Sequence, residues 1–363
     1  YSPLVHILSF SAFGYWMWAT GGDVRYAINI SAAVLIITCP CALGLAVPAV
    51  ITSASGKLFR KGLLIKHGTA LERLAEVDTV VFDKTGTLTL GVPEPVGLAQ
   101  HPADALALAA ALAAGSSHPL ARALADGARV LGIAPADVAD LREVPGHGIE
   151  GQWQGTRVRL GRADWCGARP LAETATYLAV NGVTHGFAFI DRPRPGAAQA
   201  VQALQAAGMR IELLSGDAEA PVRALAERLG IADWRAGVLP AEKAARVADL
   251  SGAGRKVLMV GDGLNDTAAL AAAHVSISPA TALDAARVAS DIVLLGQDMA
   301  PIADAVRIGR QSARRMVENF LISGGYNVIA VPLALVGLAT PLAAALAMSL
   351  SSITVSLNAM RLR

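Results

Sequence analysis

Charge is scarce in this chain, and so is cysteine. Of 363 residues only 17% are Asp, Glu, Lys or Arg while 53% are hydrophobic, and the mean hydropathy is +0.46. Charged residues make up about 25% of soluble domains, so an ordinary soluble protein is excluded. The 31 basic and 29 acidic residues leave a net charge of +2, which argues against a nucleic-acid partner and against an acidic tail. Only Cys39, Cys41 and Cys166 are present. The first two are separated by one residue, a spacing poorly suited to a disulfide that points instead to metal or redox chemistry. The chain opens on Tyr1 without a charged n-region or cleavage site. It reads as a piece whose N-terminal part is absent.

The scarcity of charge is local. Residues 4–20, 27–55 and 320–358 are almost uncharged, and residues 57–315 hold nearly all the Asp, Glu, Lys and Arg. A membrane-crossing helix needs about 20 apolar residues, so spans are predicted near 3–20, 27–50, 316–338 and 340–360, with Pro341 near the last turn. Lys57, Arg60 and Lys61 follow the second span; Arg307, Arg310, Arg314 and Arg315 precede the third; Arg361 and Arg363 end the chain. The positive-inside rule then puts the central region and the C-terminus in the cytoplasm.

In that central region three β-rich runs lead into aspartate-bearing loops. Thr79–Phe82 precedes Asp83, Arg210–Leu214 precedes Ser215-Gly216-Asp217, and Lys256–Val260 precedes Gly261-Asp262-Gly263-Leu264-Asn265-Asp266. Val275–Ile277 and Ile292–Leu295 read as further strands, with helices at Gly196–Ala207, Ala220–Leu229 and Ala241–Leu250. This alternation predicts a parallel, doubly wound sheet with its ligand site outside the strands' carboxyl ends. Carboxylates converging there repel one another unless a divalent cation such as Mg²⁺ lies between them. Asp83, beside Lys84 and free backbone N–H groups, is well placed to attack a phosphoryl group.

The stretch between Asp83 and Ser215 is too long for a loop. Helical patterning at 103–131 and strand-like pieces around 149–161 and 184–190 predict an inserted domain, entered near Pro93-Glu94-Pro95 and left near Asp191-Arg192-Pro193. Within it Ser116-Ser117-His118-Pro119-Leu120 and Gly146-His147-Gly148-Ile149-Glu150-Gly151 stand out. The latter GxGxxG opens no helix, so it is not a dinucleotide fingerprint.

Asp83-Lys84-Thr85-Gly86-Thr87-Leu88-Thr89 is the phosphorylation signature of P-type ATPases, and essentially the whole chain resembles that family. The resemblance implies four transmembrane helices and a haloacid-dehalogenase-like phosphorylation domain carrying an inserted α+β nucleotide-binding domain. The domain boundaries then fall at 1–56, 57–92, 93–188, 189–310 and 311–363. It implies ATP hydrolysis with Mg²⁺ through phosphorylated Asp83. Lys84 and Lys243 would neutralise the transferring phosphate, while Thr87, Ser215 and Gly216 would hold its oxygens. The Thr85 carbonyl and Asp262 would join Asp83 on Mg²⁺, with Asp217, Asn265 and Asp266 completing the loop network. His118, with Pro119, and the Gly146 and Gly148 backbone would hold adenine. Relatives commonly place glutamates around this histidine, where Ala113 and Ser117 stand here. Phosphatases of the haloacid-dehalogenase type carry a second aspartate two residues after the nucleophile; Thr85 occupies that place, so the aspartyl phosphate is expected to persist. The Thr-Gly-Glu loop that resets such pumps does not occur in this sequence. The segment is therefore expected to form a phosphoenzyme without turning over.

Cys39-Pro40-Cys41 lies in the second span. A proline inside a helix costs about 3 kcal/mol or more, is tolerated where the freed backbone faces a cavity or another helix, and can turn both sulfurs inward. Soft thiolates suit Cu(I), Zn²⁺ and similar ions. At this distance before the aspartate, the motif resembles the heavy-metal, type IB branch. Tyr326-Asn327 in the third span and Met348-Ser349-Leu350-Ser351-Ser352 in the fourth resemble the copper(I)-transporting subgroup. Cys39, Cys41, Tyr326, Asn327, Met348 and Ser352 would be its Cu(I) ligands. The wording of residues 326–332 and 345–358 further resembles pumps that supply copper for cytochrome oxidase assembly. The implied protein is an ATP-driven Cu(I) exporter, multi-pass in the lipid of the plasma (inner) membrane, with cytoplasmic catalytic domains and a copper chaperone as partner. A zinc or cadmium pump of the same branch, and a membrane-tethered phosphohydrolase or sensor, stay open as alternatives.

Overall fold

A computed structural model describes residues 2–171, 173–262, 266–282 and 284–362. The chain divides into two compact units, Tyr1–Glu76 with Pro301–Arg363, and Val77–Ala300.

The first unit is helical. Helices α1 (Ser2–Ala19), α2 (Val24–Ile37) and α3 (Cys41–Arg60) are followed by a short strand, β1 (Leu63–Ile65), and α4 (Thr69–Glu76); α13 (Ala300–Leu335) and α14 (Pro341–Met360) complete it. Val24–Arg60 and Pro341–Met360 are long and apolar enough to cross a membrane. The helices meet through small residues: Ala12, Ala33, Ala334 and Ala344 share a core with Ile30, Val34 and Ile37. Such residues let backbones approach closely where packing alone drives association. On α14 the opposite side, with Leu342, Leu346, Leu350, Ile353 and Leu357, is exposed, as a lipid-facing stripe requires.

The second predicted span is corrected. It is not one kinked helix: α2 stops at Ile37, and α3 starts at Cys41. Pro40 has no N–H with which to continue the ladder, and it sits instead just before the first turn of α3, where none is needed. Thr38 closes α2 by donating its hydroxyl to the Val34 carbonyl at 2.7 Å. The third predicted span is the apolar half of a longer element, because nothing between Arg307 and Glu318 interrupts α13.

The second unit holds two sheets. In one, β2 (Thr79–Asp83), β9 (Arg210–Leu214), β10 (Asp233–Arg235), β11 (Val257–Val260), β12 (Val275–Pro279) and β13 (Ile292–Leu294) run parallel in the order β13-β12-β11-β2-β9-β10. Helices α8 (Ala197–Ala206), α9 (Glu219–Leu229), α10 (Pro240–Gly252), α11 (Thr267–Ala272) and α12 (Asp284–Ala289) lie between them in sequence. All of β2 and β11 is buried, as strands covered on both faces must be. From β2 the chain passes to β9 and β10 on one side, and later to β11, β12 and β13 on the other. The crevice beyond β2 is thus a topological switch point. Asp83 stands level with Leu214 there, so the loops after β2, β9 and β11 converge.

The other sheet is antiparallel: β3 (Thr89–Val96), β8 (Val183–Pro193), β7 (Thr174–Val180), β6 (Thr156–Gly161), β5 (Gly148–Trp153) and β4 (Ala139–Val144), in that order. Helices α5 (Ala103–Ala114) and α6 (Pro119–Val130) share a core with it around Leu112, Leu124, Ile149, Leu178 and Phe187, and the short α7 (Ala163–Cys166) follows β6. Thr89 pairs with Pro193, so a two-stranded ribbon leads from the signature loop into this sheet.

Candidate functional site

Asp83 ends β2, and the chain then turns sharply through Lys84–Leu88. Gly86 has φ +72°, and a Cβ there would lie 1.6 Å from Asp262 Oδ2. Only glycine admits both the backbone and the neighbour. The carboxylates of Asp83, Asp262 and Asp266 bring oxygens within 4.8 Å of one another. Lys243, in the first turn of α10, donates to Asp83 Oδ1 at 2.5 Å and to Asp266 Oδ1 at 2.8 Å. Asp83, Asp266 and Lys243 are all buried.

Three carboxylates here face the Lys243 ammonium and, at Asp262, the Arg194 guanidinium, so acid outnumbers base in this crevice. Burial and the Asp266 carboxylate push Asp83 up to about 7, although Lys243 opposes them. Burial and Asp266 likewise push Asp262 up to about 6. Burial disfavours the Lys243 ammonium too, but Asp83 and Asp266 outweigh it and hold its pKa above the usual lysine range.

Around this centre, Lys84 pairs with Asp217, which also accepts the Thr85 hydroxyl at 3.2 Å. The Asp217 N–H donates to Ser215 Oγ at 3.1 Å, and a Cβ on Gly216 would touch the Val238 carbonyl oxygen at 3.4 Å. Thr87 Oγ1 is buried with no partner among the described residues. An unpaired buried hydroxyl costs about 1–3 kcal/mol, and a phosphoryl oxygen in the crevice would relieve it. Asn265 lies outside the described residues.

Two residues missed in the sequence hold the loop. Arg194, buried, donates to the carbonyls of Gly86 at 2.7 Å and Thr89 at 3.2 Å, and to Thr281 Oγ1 at 2.9 Å. Asp191 accepts from the Thr89 hydroxyl and from the Gly91 N–H at 3.1 Å. No motif marks either; Asp191 was visible only as the exit of the insert.

In the antiparallel sheet, His118 caps α6, its Nδ1 accepting the Leu120 N–H at 3.2 Å, with Pro119 in the first turn. Gly148 lies so close to β6 that a Cβ would stand 2.2 Å from the Leu160 carbonyl oxygen. The Arg162 N–H donates to the His147 carbonyl at 3.0 Å, and His147 packs edge-on against Trp165. Gly146 is open on its outer side. Gly161 and Arg162 thus join this corner, although nothing in the sequence singled them out.

In the helical unit the sulfurs of Cys39 and Cys41 are joined, with their Cα atoms 5.5 Å apart. This corrects the expectation drawn from their spacing: the helix break between Ile37 and Cys41 lets the flanking residues turn toward each other. Above the break, Ile37 shares a cluster with Tyr326 and Ala344. Below it, Ala42 and Ala46 share one with Ile322 and Val355. The break therefore lies level with residues 322–326 of α13 and 344–355 of α14, a stretch that includes Met348. At this level Ser323 Oγ, Tyr326 OH, Asn327 Oδ1 and Ser351 Oγ are buried without partners among the described residues. Ser352, by contrast, donates to its own helix at the Met348 carbonyl, 3.2 Å away. One further group was missed: the fully buried Asn319 donates to the Ala46 carbonyl at 3.1 Å and accepts from Asn358 at 2.9 Å, tying α3, α13 and α14 together.

Residues 77–274 match the haloacid dehalogenase-like hydrolase family. The chain is 48% identical over 370 residues to the nitrogen fixation protein FixI of Rhizobium leguminosarum bv. viciae, covering 100% of this chain and 48% of that protein. It is 39% identical to a copper-transporting P-type ATPase of the same organism, covering 99% of this chain and 46% of that protein. The chain thus spans about half the length of these curated relatives. Among solved structures it resembles a zinc-transporting PIB-type ATPase in its E2.Pi state, with a TM-score of 0.84 and 31% identity over 100% of this chain and 62% of that one. A carboxylate–lysine crevice at the switch point of a parallel sheet, a helix broken at Cys-Pro-Cys and these likenesses agree. The chain belongs to the haloacid dehalogenase-like hydrolase family and, within it, to the heavy-metal P-type ATPases.

Proposed function

We propose that this chain carries the phosphorylation site, the nucleotide site and part of the ion path of an ATP-driven Cu(I) pump. The observation that carries the reading is the buried Asp83–Lys243–Asp266 cluster, short of positive charge, with the unpaired Thr87 hydroxyl beside it. Its donor set fits Mg²⁺, which Asp83, Asp262 and the Thr85 carbonyl would hold; bound there, the ion neutralises phosphate charge and orients it. Asp83 Oδ attacks the terminal phosphorus of ATP, the bond to the bridging oxygen breaks, and ADP leaves. Lys84 and Lys243 offset the charge on the transferring group, while Thr87, Ser215 and the Gly216 N–H accommodate its oxygens. Thr85 brings no carboxylate to activate water, so the phosphoaspartate outlives the step that forms it. ATP reaches Asp83 from the antiparallel sheet, with its base at His118, Gly146 and Gly148.

The cargo is Cu(I). Once a thiol reductant has opened the disulfide, Cys39 and Cys41 supply two thiolates, and Met348 supplies the thioether that suits Cu(I) and not Zn²⁺. Tyr326, Asn327 and Ser352 complete the set. Zinc is the second reading, favoured by the solved PIB-type structure. Against it, residues 320–360 contain no Asp, Glu, Lys, Arg or His, and Glu318, just before them, is paired with Arg314 and Arg315. The setting we propose is the plasma membrane, with cytoplasmic catalytic domains, export from the cytoplasm, and a copper chaperone as donor. The reduced chain in detergent is expected to bind Cu(I) in a sulfur-rich shell by X-ray absorption. Cys39→Ser and Met348→Leu should each remove their scatterer, and Zn²⁺ should not compete. Displacement of Cu(I) by Zn²⁺ would overturn the cargo assignment.

The crevice also sets a pH dependence. Asp83 at about 7 and Asp262 at about 6 stand above the ordinary 3.8, so between roughly pH 4 and 7 the native state binds more protons than the unfolded one. Stability of the metal-free chain then falls as pH rises through that window. Mg²⁺ competes with those protons, so it should raise Tm more at about pH 7.5 than at about pH 5.5. Melting curves in chelator and in excess Mg²⁺ check this; an Mg²⁺ shift that shrinks with rising pH would contradict it.

A further inference from the structure

We propose that Asn319 and Asn358 are positioning residues for the ion site: their paired amides lock α3, α13 and α14 in the register that sets Met348 level with Cys39 and Cys41. The proposal rests on the Cu(I) reading above and adds two residues to it, neither of them a ligand.

Both amides lie on the inward faces of their helices. On α13, Ser312, Met316, Asn319 and Ser323 are buried, and Tyr326 follows Asn319 by seven residues. Steps of three and four put all of them on one stripe. On α14, Asn358, Val355, Ser351 and Ala344 are buried, and Met348 falls on the same stripe. On α3, Ala46 is buried one turn after Ala42. At about 1.5 Å per residue, the clasp stands about 8 Å along α3 from Cys41, about 10 Å along α13 from Tyr326 and about 15 Å along α14 from Met348. No helix is interrupted over these stretches.

Neither amide is left with an unused oxygen or nitrogen. Asn319 Nδ2 donates to the Ala46 carbonyl at 3.1 Å, and its Oδ1 accepts from Asn358 Nδ2 at 2.9 Å. The same Asn358 nitrogen donates to Glu318 Oε2 at 3.2 Å, and its Oδ1 accepts from Arg315 Nη1 at 3.4 Å. Nearer the helix break the pattern reverses: Ser323, Tyr326, Asn327 and Ser351 have buried oxygens without partners among the described residues. Groups left open at that level are free to meet an ion. The amides, committed to one another, hold the helices instead.

The packing around them shows why holding is needed. Ala42 and Ala46 of α3 meet Ile322 and Val355, and small apolar surfaces let helices approach closely without fixing their register. A buried amide pair fits one register only, because a slip leaves donor and acceptor unmatched in an apolar seam. One helical turn is about 5.4 Å. A slip of that size between α13 and α14 would part the amides and carry Met348 equally far from the sulfurs, since α14 is continuous from one to the other.

The Cu(I) affinity of the reduced full chain in detergent, measured against a competing chelator, and its X-ray absorption spectrum test this. Asn319→Leu replaces the amide by an apolar group of similar size. It should weaken Cu(I) binding about tenfold, as loss of a residue that supports metal ligands does. The thioether scatterer should disappear while the two thiolates stay. Asn358→Leu should do the same, and decides the matter if Asn319→Leu does not fold. The double variant should lose no more than either single one, because the amides act as a unit. A merely structural pair would lower Tm and leave the affinity and the scatterers as in the wild type. That result, or losses that add in the double variant, overturns the proposal and leaves the Cu(I) reading intact. A wild-type chain that binds no Cu(I), or binds it without a thioether, overturns both.

Discussion

Replacing Lys243 with methionine should lower the rate of phosphoenzyme formation from ATP by about 10²–10³-fold at neutral pH, the range seen when one preorganised charge-stabilising donor is removed. Methionine keeps an apolar stem of similar length, so packing around α10 is largely retained. What disappears is the ammonium between Asp83 and Asp266. Burial and Asp266 already push Asp83 up to about 7, with Lys243 the opposing influence. Without Lys243 the carboxyl rises further, is mostly protonated at pH 7, and is no nucleophile. Lys243→Arg keeps the charge, but a planar fork fits poorly where one nitrogen meets two carboxylates, so an intermediate loss is expected. Single-turnover labelling with ATP is the measurement. A wild-type rate in Lys243→Met would show that Asp83 is activated by something else.

The second large effect is at Gly86. Alanine there meets two obstacles: φ of +72°, and Asp262 Oδ2 at 1.6 Å from the new Cβ. The backbone conformation alone costs a residue with a Cβ about 1–2 kcal/mol. The overlap is worse, because Asp262 is a short side chain just after β11 and can swing away only by leaving Asp83 and Asp266. Gly86→Ala should therefore abolish the Mg²⁺-induced rise in Tm, lower Tm in chelator as well, and reduce phosphoenzyme yield by more than about tenfold. The Arg194 bond to the Gly86 carbonyl weakens with the same displacement. Melting curves with and without Mg²⁺ separate the two losses; a variant that keeps its Mg²⁺ shift would mean that Asp262 and Gly86 do not meet.

Much of the carboxylate–lysine crevice was legible in the sequence because its parts are local. An apolar run ending in aspartate is a strand with a loop at its carboxyl end, and Arg210–Leu214 was placed to the residue. Asp83, Lys84, Thr87, Ser215 and Asp217 gather where the loops were expected to converge. Arg194 and Asp191 were not legible, since both act on backbone groups of residues 86–91 that lie far away in sequence. Pro40 announced a discontinuity, but composition does not decide between a kinked helix and two helices. The break is what joins the sulfurs that spacing alone seemed to keep apart. Asn319 and Asn358 carry no motif; only the crossing of three helices pairs them. The β3–β8 ribbon was hidden for a similar reason, because Pro93-Glu94-Pro95 read only as the entry to the insert and not as part of a strand.

The measurement that tests the central claim most directly is transfer of labelled phosphate from ATP to the chain. With Mg²⁺ and Cu(I), an acid-stable, hydroxylamine-labile label should appear, map to Asp83, and be absent in Asp83→Asn. No label on the wild-type chain, or a label that persists in Asp83→Asn, would contradict the account.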